Sequence, residues 1–325
     1  MKLQRTGALL LALMMIFSFA AAEEEETVSF RKITVSKDTE YVDLGKTGIQ
    51  DNQWETFYAF LAKLPNLKKV DMYNTVINLK VFKRLNEQFP DVEFGVQFRY
   101  GKYRVRTDDT AFSTLYSGGD RLHSYDEIAM LTWCKNLYAL DIGHHPVRKL
   151  DFLYEMPELR VLIVALCDLT DITPIASLKH LEYLEIFHNR ITDISCLKDL
   201  KYLMDLDLVQ NFIPDLTPLA EIKSLKRLWL YRNMKNDMES PDMETVQMLQ
   251  EALPDCFIEA RGTSKSKGWV QHPHMEVIYQ MWRTHTYQPF ADSDPENMPE
   301  PWRTERLKQL EEEQAGGETA EAVQE

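Results

Sequence analysis

The chain has few residues able to do chemistry, and their spacing says which chemistry to expect. Cys134, Cys167, Cys196 and Cys256 are the only thiols among 325 residues. They contain no CxxC and no nearby histidine pair, so they match no zinc pattern. His272 and His274 flank Pro273 at no recognised ligand spacing, and Asp292-x-Asp294 lacks the glycine and terminal glutamate of a calcium loop. Glu185 and Asp207 could form an acid–base pair about 5 Å apart if adjacent strands carry them. On an open sheet face, however, their tuning would be weak. GxSxG, HExxH, GxGxxG and P-loop sequences are absent. The expectation is recognition without catalysis, cofactor or metal.

The elements that must position these residues are repeats. Leu137, Leu159, Leu181, Leu203 and Leu225 are evenly spaced, as are Leu140, Leu162, Leu184, Leu206 and Leu228. A third column is Ile142, Val164, Ile186, Leu208 and Leu230, and a fourth is His145, Cys167, Asn189, Asn211 and Asn233. Val147, Leu169, Ile191 and Ile213 continue the unit. A fixed period of this kind means stacked supersecondary units, none of which buries its apolar face alone. The LxL core reads as a short strand, because alternation sends every second side chain inward. The Asn column can satisfy backbone groups at the bend that leaves each strand. Cys167 occupies that column and reads as a buried free thiol, as do the other cysteines. Thr173-Pro174 and Thr217-Pro218 read as an N-cap followed by proline at the first helical position.

The unit LxxLxLxxNxI, as in Leu181 to Ile191, resembles the leucine-rich repeat family, and the following Thr-Asp-Ile segments resemble the 22-residue version of bacterial internalin-like proteins. The resemblance is strong over 134–233. It implies an α/β solenoid with parallel strands on the concave face and helices or short helical turns on the convex face. It also implies protein–protein interaction through the concave face.

The expected organisation is a signal peptide at 1–22, irregular N-terminal repeats with an inserted hairpin at 23–118, and regular repeats with a last helix at 119–261. A C-terminal cap segment at 262–290 and an acidic disordered tail at 291–325 complete it. The first segment has Lys2 and Arg5, an apolar run and Ala20-Ala21-Ala22, which together read as a secretory signal. A secreted or loosely surface-held protein follows, with no membrane insertion after cleavage. Net charge is −14, and 291–325 alone holds eleven acids against three bases. Such runs are usually solvated. Nothing makes a basic footprint for nucleic acid.

Leu67-x-x-Val70-x-Met72 and Phe89-x-x-Val92-x-Phe94 read as looser turns in one register, with Trp54, Phe57, Tyr58, Leu61 and Leu64 at helical spacing before them. Phe98 to Val105, around Gly101-Lys102, reads as a hairpin. Ser124-x-x-Glu127 reads as a capping box. Ser240-Pro241 begins a helix with Val246, Leu249 and Leu253 inward, Cys256-Phe257-Ile258 a last strand, and Gly262 to Gly268 a linker. Met275, Ile278, Tyr279 and Trp282 lie at helical spacing. That helix either packs on the solenoid end or binds a partner.

The outward strand positions give the candidate site: Tyr183, Glu185, Phe187, Asp205, Asp207, Arg227, Trp229 and Tyr231. Aromatic residues and arginine dominate binding hot spots. Either they meet a protein partner, or a C-terminal helix or loop covers them. A second reading has Trp229 and Tyr231 stacking on the sugar rings of a carbohydrate or cell-wall glycan.

Overall fold

The computed structural model describes residues 26–114, 125–233, 240–262 and 269–321. The signal-peptide segment, Ser124 and the linker at 263–268 lie outside the described residues. Strands β1 (Thr27–Phe30) and β2 (Ile33–Ser36) form an antiparallel pair. A second sheet has the order β3 (Tyr41–Asp43), β4 (Lys69–Ile77), β5 (Glu93–Tyr100), β6 (Tyr103–Arg106). Its convex side carries α1 (Trp54–Leu61) and α2 (Leu79–Gln88). The β5–β6 hairpin turns at Gly101, whose φ of 58° is open to glycine without strain. The register between β4 and β5 differs from the expected one: Val70 pairs with Phe94, not Val92. The bend at Pro90-Asp91 takes two residues more than a regular unit, and a shift of two preserves which side chains face inward.

The third sheet is seven-stranded and entirely parallel. In spatial order it runs through β7 (Ala111–Ser113), β8 (Ala139–Asp141), β9 (Val161–Ile163), β10 (Tyr183–Glu185), β11 (Asp205–Asp207), β12 (Arg227–Trp229) and β13 (Phe257–Glu259). Register is strict, with Leu140, Leu162, Leu184, Leu206 and Leu228 as successive partners. All five are fully buried inside the solenoid. Strands β8 to β12 each leave the sheet through a non-glycine residue in the left-handed region: His144, Leu166, His188, Gln210 and Arg232 all have φ between 53° and 65°. The next residue belongs to the ladder. The Asn189 side chain accepts from the Cys167 and Leu169 amides and donates to the Val164 carbonyl. Asn211 donates to Ile186 and Leu208 carbonyls and accepts from the Ile191 amide. These bonds satisfy backbone groups that the bend would otherwise bury unpaired, which offsets the left-handed strain.

Short 3₁₀ turns close the convex side, including Thr173–Ser177 and Thr217–Glu221. Their caps differ from the expected Thr-Pro caps. Asp171 and Asp215 accept the Thr173 and Thr217 amides at 2.8 and 2.9 Å. A carboxylate two residues earlier reaches the free N–H with an Asx-type turn. Between β7 and β8 lies the single turn α3 (Tyr125–Ile128). After the regular units comes α4 (Met243–Ala252), capped by Asp242 rather than opened at Ser240. It buries Leu249, and β13 closes the sheet.

The four cysteines are free thiols, three of them buried. Burial pushes Cys167 and Cys256 up to about 12 and Cys196 to about 11. Thiolate being the reactive form, the native protein should react slowly with a disulfide reagent. Denatured without reductant, it should yield four thiols. Fewer than three would contradict the fold as described.

The C-terminal segment departs most from expectation. Helix α5 (Pro273–Thr284) lies over the concave face of the seven-stranded sheet rather than on the solenoid end. Residues 291–301 continue as a packed strap, and α6 (Trp302–Glu321) follows it. The expected disorder from 291 is therefore corrected: Ser293 and Asn297 are buried against the repeats. Acidic composition did not exclude packing, because three polar side chains on the strand entries were waiting for partners. Glu182 accepts from Ser293 and Asn297 at 2.6 and 2.7 Å, His180 contacts the Asn297 side chain at 2.7 Å, and Arg160 donates to the Asn297 carbonyl at 3.0 Å. No helix among the described residues is long and apolar enough to cross a membrane.

Candidate functional site

Strand alternation sets out three columns on the concave face. One runs Ala139, Val161, Tyr183, Asp205, Arg227, and another Asp141, Ile163, Glu185, Asp207, Trp229. The third follows the strands and includes Phe187 and Tyr231. These are the residues the sequence singles out, and the sheet does bring them together.

They do not meet solvent as an open binding face. Tyr183, Asp205, Asp207, Trp229 and Tyr231 are all buried, and so is Glu185 at 9% exposure. Phe187 and Arg227 are half-buried. The cover is the chain's own C-terminal segment: Trp269, Met275, Ile278, Met281, Trp282, Tyr287 and Phe290 form a second apolar core with the outward face of the sheet. Trp229 packs edge-on against Trp269 at 4.8 Å, and Tyr183 lies 5.1 Å from the same ring. Gly262 lies flat on Tyr231, where a Cβ would fall 2.4 Å from the ring. Trp229 and Tyr231 are thus unavailable for stacking on sugars. The physical reason is the usual one for parallel sheets, whose two faces are both covered. Here one face is closed by the solenoid interior and the other by α5 and its flanks.

Two polar sites remain within this interface. The first is a closed ion cluster. Asp205 is bonded by Arg227 and His274, and His274 Nε2 contacts Asp292 at 2.6 Å. Burial alone would raise the Asp205 pKa, but bonds from His274 and Arg227 outweigh it and hold the carboxyl below its usual range. Burial works the same way against Asp292, where Lys226 and His274 lower it to about 2. His272 sits beside this cluster among the rings of Tyr183, Trp229 and Trp269. Neither of its ring nitrogens has a partner among the described residues, and burial depresses it to about 4. Asp205, His272 and His274 offer ligand atoms within 4.8 Å of one another. The Arg227 guanidinium already occupies this centre, at 2.9 Å from His274 and on both Asp205 oxygens. A fixed cation there opposes a second one.

The second site is a cavity of about 200 Å³ left between sheet and cover. Asp141, Glu185 and Asp207 line it from the sheet, together with Ile163, Phe187 and His144. Trp269, Met275, Tyr279 and Trp282 line it from the cover. Glu185 Oε2 accepts from Trp269 Nε1 at 2.8 Å and from the Tyr183 hydroxyl at 3.3 Å. Asp207 Oδ1 accepts from the Val209 amide at 2.9 Å. Burial raises Glu185 to about 7, and burial with the Glu185 charge raises Asp207 well above the usual range. The weak tuning expected for this pair on an open face is therefore corrected, because the cover removes the water that would have screened them.

Outside the cover, the bend that follows the strands stays open. Leu166, Asp168, His188, Arg190, Gln210 and Phe212 line a groove there of about 420 Å³. Asp168 bridges Arg148 and Arg190 at 3.0 and 3.2 Å. Its carboxyl is held below the usual range, chiefly by Arg190. Neither the groove nor the acid cavity was visible as a site from the sequence.

Parallel strands in strict register, an asparagine ladder and short convex turns define the architecture of a leucine-rich repeat solenoid. The family model described as leucine rich repeats, in two copies, matches residues 157–202. Among solved structures the chain is similar to an internalin of Listeria monocytogenes, at 19% identity and a TM-score of 0.41, over 63% of this chain and 71% of that one. It is also similar to a leucine-rich repeat protein of Leptospira interrogans, at 18% identity and a TM-score of 0.39, over 61% of this chain and 50% of the other. Internalin C2 of Listeria monocytogenes is 19% identical with a TM-score of 0.33, over 72% and 80% of the two chains. No curated protein matches the chain.

Proposed function

We propose that this is an exported leucine-rich repeat protein that binds a protein partner and carries out no catalysis. The observation that supports this is the groove along the strand-exit bend. It stays open beside a concave face already filled by the chain itself, and it offers Leu166, Phe212 and Arg190 at its surface. Aromatic residues and arginine are enriched where binding energy concentrates. The alternating Arg148, Asp168 and Arg190 charges would orient a partner of mixed charge and select its register more than they would add affinity. The interaction surface is therefore shifted from the sheet centre, where Tyr183, Trp229 and Tyr231 serve packing, to the edge of the sheet.

Placing a photo-crosslinking residue at His188, which is exposed, should capture the partner in the native secretion environment. The same residue at Tyr154, 57% exposed on the convex side, should not. Equal capture at both positions, or capture at Tyr154 alone, would reject this assignment of the surface.

A further inference from the structure

The cavity beneath α5 has walls of unusual composition. Asp141, Glu185 and Asp207 come from β8, β10 and β11, and Trp269, Tyr279 and Trp282 face them from the cover. No lysine or arginine is among its described lining residues, where His144 is the only basic side chain. Arg227, on the neighbouring strand β12, is committed to Asp205. The hydrogen bonds these acids make to the chain fall on Glu185 Oε2 and Asp207 Oδ1. Trp282 is 5% exposed, and its Nε1 is buried without a partner. A buried N–H left unmade is costly, so it points to an acceptor that the described residues do not supply.

The kind of cation can be narrowed. Among the described residues these three acids do not converge as metal ligands, whereas a carboxylate oxygen of Asp205 and ring nitrogens of the neighbouring His272 and His274 do. Dispersed carboxylates among aromatic walls suit a diffuse organic cation, which gains from ring quadrupoles as well as from charge. An oxygen near the ammonium would accept from Trp282 Nε1. We propose that this cavity is a binding site for an organic ammonium group that carries a nearby oxygen acceptor. The group can come from a free amino alcohol or from a lysine side chain beside its own backbone carbonyl. The site is separate from the strand-exit groove, so it stands or falls independently of the protein-binding surface.

Titration of the full chain with choline, ethanolamine and Nα-acetyl-lysine N-methylamide tests this, with heat and tryptophan fluorescence as readouts. The neutral isostere of choline, 3,3-dimethylbutan-1-ol, is the control. At about pH 8 at least one cation should bind about tenfold or more tighter than the neutral alcohol. Tighter binding of choline or ethanolamine assigns the free amine, and tighter binding of the lysine derivative assigns a side chain. Glu185→Gln and Asp207→Asn, checked for folding by circular dichroism, should each weaken it about tenfold or more. Affinity should also fall toward pH 5.5 as Glu185 and Asp207 take up protons. The other titratable groups facing them are Asp141 and His144 on the sheet, Tyr183 and Asp205 beside them, and Tyr279 on α5. Equal binding of the neutral alcohol, absence of saturation by every cation, or unchanged affinity in both folded variants would each overturn the proposal.

Discussion

Trp229→Ala is expected to destabilise the protein as severely as Leu206→Ala, although the two side chains point to opposite faces of the same sheet. Leu206 is fully buried in the solenoid interior, and its truncation should cost about 2–5 kcal/mol by leaving a cavity. Trp229 points outward, yet only 2% of it is exposed, between Phe257 at 5.4 Å and Trp269 at 4.8 Å. Its truncation should cost about 3–5 kcal/mol on the same grounds. Tyr154→Ala, on the exposed convex side, should stay within about 0.5 kcal/mol of the parent. Urea unfolding of the three variants separates the cases. A cost below about 1 kcal/mol for Trp229→Ala would mean that the C-terminal segment does not seat on the sheet in solution.

Glu185→Gln should raise stability at alkaline pH. The folded carboxyl has its pKa at about 7, against 4.5 when solvated, so the native state holds its proton more tightly. The stabilisation this gives is complete below about pH 4.5 and is lost as pH rises through 7. Above that the native state must carry a buried charge, at a cost on the order of 3 kcal/mol. Glutamine keeps a carbonyl for Trp269 Nε1 and the Tyr183 hydroxyl without the charge. The variant should therefore exceed the parent by up to about 3 kcal/mol near pH 9 and match it near pH 4.5. His272 acts oppositely. Its folded pKa is lowered to about 4 from 6.5, so the parent loses stability as pH falls through that interval. The difference between variant and parent cancels the His272 contribution and leaves that of Glu185 together with the relief of Asp207, whose pKa the Glu185 charge raises. A gap independent of pH would show that the carboxyl is solvated.

The inward half of the fold was legible because repetition makes it so. Leu140 to Leu228 and Asn189 to Asn233 recur in register, and only a stacked parallel sheet with a ladder satisfies both columns at once. The cover was not legible to the same degree. Alternation tells that Tyr183, Trp229 and Tyr231 leave the solenoid interior, but not whether they then meet water. Their apolar character was a signal, as was the stripe Met275, Ile278 and Trp282. Two unpartnered apolar faces in one chain commonly find each other, since burial is worth roughly 1.5–3 kcal/mol for each large side chain. The contact of His274 with Asp205 bridges 69 residues and follows no period. Likewise, Asn297 looked like tail until the buried Glu182 and His180 gave it a place. The candidate site shares this fate. Its residues were named correctly as neighbours, but their environment is set by a segment whose docking has no repeat to announce it.

The second apolar core has a consequence for the order of synthesis. Its sheet side is complete once β12 has emerged, whereas its other wall extends to Phe290 and Trp302, at the far end of the chain. At roughly 5–20 residues per second, the aromatic face waits several seconds for its cover. Through that interval the nascent solenoid presents Tyr183, Trp229 and Tyr231 uncovered, while its leucine columns are already stacked. Any truncation before α5 would make that passing state permanent. Early stop codons or proteolytic nicks near residue 262 should therefore yield chains that stack their repeats but associate through the bare sheet.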